Sequence, residues 1–310
     1  MKGILIVAPL VLVIMLGMAL RASGFLKIQA RDTLTRLLYW VILPPLLFRT
    51  TYLAGQGEIP DKNLFIAAYG VMFAVPLAAF FISSILTHKN DRIRLALATM
   101  AAARANNVYL GLPACILALG SEGMEAASLY LAVTLPGYNL ISIMWGEVVL
   151  SGGINFRTLR LRLLSVIKNP MVVSCLLGLS AAWLEVPVPE TLMTSMKIIS
   201  DMATGVALMA LGVSLEISDI LPAIRHAWHD ALIKLVLHPA MTWLFFSIWP
   251  APEMLFRSAI IISSMPTAIN TFILAGGMRL DERYACEIIA VSTCLAPITI
   301  PLWIALLGIN

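Results

Sequence analysis

The sequence predicts an all-α integral membrane protein of ten transmembrane helices, built as two inverted five-helix repeats. Three observations carry that prediction. The 310 residues are 60% hydrophobic and only 12% charged, where a soluble domain is nearer half apolar and a quarter charged. Apolar runs of about 18 residues or more, long enough to cross a hydrocarbon core, recur along the chain. The loops between the runs alternate between rich and poor in basic residues, as cytoplasmic and extracytoplasmic loops do.

The ten runs are residues 3–20, 35–54, 64–86, 95–119, 127–149, 170–186, 192–214, 231–249, 257–277 and 286–307. The first follows Lys2 and outlasts the roughly 7–15-residue core of a signal peptide, so it reads as a retained helix. Basic residues gather in the odd loops: Arg21, Lys27, Arg31 and Arg36, then Lys89, Arg92 and Arg94, then Arg157, Arg160, Arg162 and Lys168. The even loops carry acids instead, among them Glu58, Asp61, Glu122, Glu125, Glu185 and Glu190. Positive-inside counting puts the odd loops in the cytoplasm and both termini outside, for a multi-pass protein of the inner cell membrane. Residues 151–169 form the longest loop, a cytoplasmic linker between a first repeat at 1–150 and a second at 170–310. An odd number of spans in each half inverts the second half relative to the first.

Other classes find little support. The net charge of +4 is spread over short loops and is not a nucleic-acid signature. Cys115, Cys175, Cys286 and Cys294 lie in or beside apolar runs, match no metal-site spacing and read as buried small residues. There is no His-Glu-x-x-His metal motif, no Gly-x-Ser-x-Gly elbow and no phosphate-binding glycine loop. The sequence implies neither an enzyme, a cofactor nor a bound metal.

Two polar stretches interrupt apolar runs near their middle. One is Arg104-Ala105-Asn106-Asn107-Val108-Tyr109-Leu110-Gly111-Leu112-Pro113 in the fourth run, and the other is Ser263 to Thr271 in the ninth. Polar groups at that depth are costly and usually face a cavity or a partner. Pro113 and Pro266 each remove a backbone donor, so a break is expected in each span. Broken helices end in partial charges and expose backbone groups, and asparagine side chains add donors and acceptors. Two such spans crossing at mid-membrane suit an organic anion. Asn106, Asn107, Pro113, Pro266, Thr267 and Asn270 are therefore the candidate substrate-binding residues, with Asn139 in the fifth span beside them. The hydroxyls of Ser263, Thr267 and Thr271 have the alternative of bonding back to their own helix.

Arg104 lies roughly 15 Å deep at 1.5 Å per residue. It either binds a substrate carboxylate or pairs with Asp201, which the sequence also offers as a proton or ion carrier. Lys197, one turn before Asp201, competes for that carboxylate. His238 and Pro239, in helical spacing with Asp230 and Lys234, read as kink and interface chemistry.

Several stretches resemble the auxin efflux carrier family, and its bacterial members in particular. They include Val41-Ile42-Leu43-Pro44-Pro45-Leu46-Leu47-Phe48, Asn107 to Pro113, Gly205 to Leu215, Met265-Pro266-Thr267-Ala268, and Pro297-Ile298-Thr299-Ile300-Pro301-Leu302-Trp303. The resemblance covers nearly the whole chain in order. It implies the transporter fold of that family, with helices four and nine crossing at Pro113 and Pro266. It also implies a scaffold of helices one, two, six and seven, a transport domain of helices three to five and eight to ten, elevator-type alternating access and a homodimer. The long cytoplasmic loop of many plant members is missing here. The function expected is secondary transport of a small organic anion, an auxin-like carboxylate or a dicarboxylate, with coupling to a proton or sodium left open. The alternatives are a sodium-coupled symporter of the bile-acid type and a non-transporting membrane sensor.

Overall fold

The computed structural model describes residues 2–56, 62–151, 170–214, 217–268, 270–278 and 280–309. They are helical almost throughout, and among them the only extended pairing is one isolated bridge. The first half contains α1 (Lys2–Ala22), α2 (Ile28–Leu37), α3 (Leu43–Gly55), α4 (Lys62–Leu86), α5 (Arg92–Ala103) and α6 (Leu112–Ser151). The second contains α7 (Pro170–Trp183), α8 (Glu190–Ser200), α9 (Ala203–Ser214), α10 (Ile217–Leu232), α11 (His238–Ile248), α12 (Glu253–Ser263), α13 (Asn270–Gly277) and α14 (Glu282–Leu306). Among the described residues the ten apolar runs fall largely on helices, with non-helical breaks inside the fourth and the ninth. Among the described residues, four stretches are long and apolar enough to cross a membrane: Lys62–Leu86, Asn107–Leu135, Pro222–Ile248 and Glu282–Leu306. The expected linker at 151–169 lies outside the described residues except for Ser151.

Prolines shape these helices in one recurring way. Three π-helical segments, Leu38–Ile42, Asn107–Gly111 and Ile233–Leu237, each end just before a stretch that contains a proline: Pro44, Pro113 and Pro239. A proline gives no N–H to the carbonyl one turn back, and its ring crowds that carbonyl. A wider turn upstream relieves both problems. The Leu43 N–H reaches back to the Leu38 carbonyl and the Leu112 N–H to the Asn107 carbonyl, each five residues away. The chain thus continues as helix through Pro113, and the break expected there lies earlier. Downstream, α6 turns sharply at Gly120, whose φ of 73° and ψ of −159° favour a residue without a Cβ.

Two helix pairs approach closely through glycine. α1 lies on α9, where a Cβ built on Gly17 would sit 2.5 Å from the Met209 carbonyl oxygen and 3.0 Å from the Gly212 Cα. α3 lies on α7, where a Cβ on Gly178 would strike the Thr51 hydroxyl and the Phe48 carbonyl. Without a hydrophobic drive between helices in lipid, such close backbone packing is what holds spans together.

The remaining helices pack α4 on α11, α6 on α12 and α10 on α14. A buried polar knot ties the end of α4 and the loop after it to α10 and α14. The Asp230 carboxylate accepts from the Tyr284 hydroxyl (2.6 Å), meets His88 Nε2 (2.8 Å) and accepts from Ser83 (3.2 Å). Of the cysteines, Cys115 is buried as expected, while Cys286 is exposed, so the reading of all four as buried is corrected.

Overpacking at the α1–α9 contact is expected to cost about 1–3 kcal/mol. Gly212→Val should therefore lower the thermal midpoint of the purified protein in detergent. Gly205→Ala should not, because nothing lies within 4 Å of a Cβ built there. Equal midpoints for the two variants would contradict the close approach.

Candidate functional site: a crossing of two interrupted helices

α5 ends at Ala103, and the chain leaves helical geometry over Arg104, Ala105 and Asn106. Asn106, at φ −75° and ψ 65°, sits in an inverse γ-turn closed by the Asn107 N–H donating to the Ala105 carbonyl, 2.8 Å. In the second half α12 ends at Ser263 and α13 starts at Asn270. The two breaks run antiparallel against each other. The Asn106 N–H donates to the Pro266 carbonyl (2.8 Å) and the Ala268 N–H to the Arg104 carbonyl (2.8 Å), which pairs Ala105 with Thr267. Each bond satisfies backbone groups that a helix break orphans, and in apolar surroundings an unsatisfied group is expensive.

Side chains brace the crossing. The fully buried Arg104 donates from Nε to the Thr271 hydroxyl (3.2 Å) and from a terminal nitrogen to the Ser142 hydroxyl (2.7 Å). Its guanidinium carbon lies 4.7 Å from the centre of the Tyr138 ring, within cation–π range. The Tyr138 hydroxyl donates to the Ala105 carbonyl at 2.9 Å. The Thr267 N–H donates to the Ser292 hydroxyl at 3.1 Å, so α14 also holds the second break.

Other polar atoms at the crossing have no such partner. Asn106 and Asn107 are buried, yet no hydrogen bond among the described residues engages either side-chain amide. The Thr267 hydroxyl and His238 Nδ1 are buried without a partner. Asn107 and His238 line a cavity of about 20 Å³, together with Ser263 and Tyr138. That is room for about one water. Pro113 lines a different cavity of about 30 Å³, between α3, α6 and α9.

Residues 154–304 match the model of a family described as "Membrane transport protein". The chain is similar to that family over its second half. Two relatives extend the match over nearly the whole length. A Rhizobium meliloti protein, named provisionally as a malonate transporter, is 22% identical over 276 residues, covering 88% of this chain and 85% of the relative. A Methanothermobacter thermautotrophicus protein named an uncharacterized transporter is 24% identical over 297 residues, 96% of each chain. The family resemblance read from the sequence agrees with these matches, all of them named as transporters or transport proteins.

Against the sequence expectations, the geometry differs in three places. The first crossing arm is centred on Ala105, not Pro113, because the π-turn before Pro113 absorbs the missing donor and keeps that stretch helical. Asp201 does not meet Arg104: it is exposed at the end of α8 and pairs with Lys197 at 2.8 Å, the i,i+4 neighbour that competes for it. The one-turn spacing of Pro266 and Asn270 predicts a shared helical face, but the chain between α12 and α13 is not helical at Pro266. The side chains of Asn139 and Asn270 lie outside the described residues. Ser263 bonds back to its own helix, as the alternative reading had it, and the neighbouring Ser264 does the same.

The sequence reads Lys234 as interface chemistry, yet it is fully buried and its ammonium donates to the Ser263 carbonyl at 2.7 Å, at the end of α12. A lysine in mid-run, one turn before His238, was the available signal.

Tyr138→Phe removes one of two hydrogen bonds to the Ala105 carbonyl and leaves the one from the Asn107 N–H. The expected loss is about 0.5–1.5 kcal/mol of stability, read as a lower thermal midpoint. An unchanged midpoint would show the brace to be dispensable.

Proposed function

We propose that this chain is a secondary carrier that moves a small organic anion across the cell membrane. The observation that supports it most is the crossing itself. Two interrupted helices meet there, and at the meeting point the Thr267 hydroxyl is buried without a partner, beside the buried Asn106 and Asn107. Buried polar groups are normally satisfied. A carboxylate with its hydrogen-bonding oxygens, reached by amide groups and helix ends, would satisfy them. The name of the Rhizobium meliloti relative points to a malonate-like dicarboxylate as the substrate class.

The architecture we propose is ten spans in two inverted repeats, residues 1–150 and 170–310, joined by the 151–169 linker, with both termini outside. The packing supports it. α1 on α9 mirrors α7 on α3, as first span on seventh mirrors sixth on second, and both contacts use glycine. In this reading α1–α3 and α7–α9 form the scaffold that pairs into a homodimer. The helices that carry the crossing form the body that moves in an elevator cycle. The crossing is braced by Arg104, Tyr138 and Ser292 from within that body, which suits rigid movement. Substrate contacts are assigned to Asn106, Asn107 and Thr267, with Asn139 and Asn270 beside them. Pro113 and Pro266 shape the arms, and Arg104 acts as a brace.

Radiolabelled malonate uptake into liposomes, under imposed potential, proton or sodium gradients, tests this reading. Wild-type protein should carry a small carboxylate under at least one gradient. Asn107→Ala should abolish uptake while the protein stays folded by thermal shift. Absence of flux of any organic anion under every gradient would overturn the proposal, and full activity of Asn107→Ala would misplace the site.

A further inference from the structure

We infer that Lys234 is a cationic subsite that pairs with one carboxylate of the transported anion. The inference rests on the anion-carrier reading above and sharpens it toward a dicarboxylate held by a third element. Lys234 lies in the π-turn Ile233–Leu237 between α10 and α11, outside both arms of the crossing. It is fully buried, and its one hydrogen bond among the described residues goes to the Ser263 carbonyl at 2.7 Å.

Capping the end of α12 does not account for this group. An ammonium carries three N–H donors, and one neutral carbonyl takes only one of them. A helix C-terminus attracts a cation, but a partial charge does not neutralise a full one. Among the described residues no carboxylate lies within ion-pair distance of Lys234. Asp230, one turn before it, is engaged by His88 and Tyr284. A buried charge without a counter-charge is strongly unfavourable, so something else must supply the negative partner when the ammonium is charged.

The surroundings indicate where that partner enters. Ser263, which holds the Lys234 ammonium, lines the same cavity as His238 and Asn107. His238 follows Lys234 by one turn, and its buried Nδ1 has no partner. The cavity has room for about one water in this structure, so it must widen to admit a carboxylate, which would then lie beside His238, Asn107 and the Ser263 end of α12 that Lys234 holds. Arg104, already set between Ser142 and Thr271, is a poorer host, because taking a ligand would loosen the crossing it braces.

The test is malonate affinity of the purified full-length protein, by titration calorimetry, for wild type, Lys234→Met, Lys234→Gln and Lys234→Arg. Methionine fills the site without a charge and should keep the fold. Both neutral variants should bind malonate about 30-fold or more weakly, the scale of removing one partner of a buried charge pair. Lys234→Arg should recover part of the affinity. Wild type should also prefer malonate over its monoamide, and the neutral variants should lose that preference, which a merely structural lysine would not alter. Folded neutral variants with wild-type affinity and preference would overturn the Lys234 assignment while leaving the carrier reading intact. A wild type that binds no carboxylate would overturn the carrier reading and this inference with it. If neither neutral variant folds, a structure of wild type with malonate decides. A carboxylate oxygen within about 4 Å of Nζ supports the subsite, and an anion seated away from Nζ overturns it.

Discussion

Breaking a helix inside a membrane leaves backbone donors and acceptors with no water to turn to. That constraint governs this molecule. Its two interrupted helices answer it by serving each other, with the Asn106 N–H on the Pro266 carbonyl and the Ala268 N–H on the Arg104 carbonyl. Neither break is self-sufficient, so the two halves of the chain are committed to meet at this point. The prolines create the need for irregular backbone, and the π-turns before Pro44, Pro113 and Pro239 spread the irregularity away from the prolines themselves. The braces follow from the same need. Tyr138 and Ser292 satisfy backbone groups next to the bridge, and Arg104 ties its own break to α6 and α13.

A crossing built this way has polar groups left over, which gives it a use. Among the described residues the Thr267 hydroxyl and His238 Nδ1 are buried without a partner, and no hydrogen bond engages the side-chain amides of Asn106 and Asn107. With the ammonium of Lys234 one turn from His238, these groups offer donors as well as acceptors. In the proposed cycle a small dianion completes them, and the tightly braced crossing travels as a unit between the two membrane faces.

Much of this was legible in the sequence, for a physical reason. Long apolar runs report burial in lipid whatever their rotation, so the helical stretches came through. Polar interruptions in such runs are costly enough to stand out, so the two breaks did as well. What failed depended on rotation and on exact backbone course. The conspicuous Pro113 drew the break toward itself, though the wider turn before it lets the helix continue. Arg104 and Asp201 looked like partners because both seemed deep, but depth says nothing about facing. Asp201 turns outward to Lys197, and Arg104 finds hydroxyls and a ring instead. Lys234 was visible as a charge in an apolar run. Its importance appears only once α10 and α11 are set against the end of α12.

The claim on which the account depends is that the two breaks meet backbone to backbone. Ala105 and Thr267 form a non-hydrogen-bonded antiparallel pair, for which Cα atoms sit about 4.5 Å apart, within disulfide reach. The direct measurement is oxidative cross-linking of Ala105→Cys with Thr267→Cys in membranes, in a background with the four native cysteines replaced. The account predicts rapid, reductant-reversible formation of an intramolecular bond, with no such bond when Ala105→Cys is paired with a cysteine in place of the distant Leu302. A double variant that stays reduced under conditions that oxidise exposed cysteine pairs would contradict it.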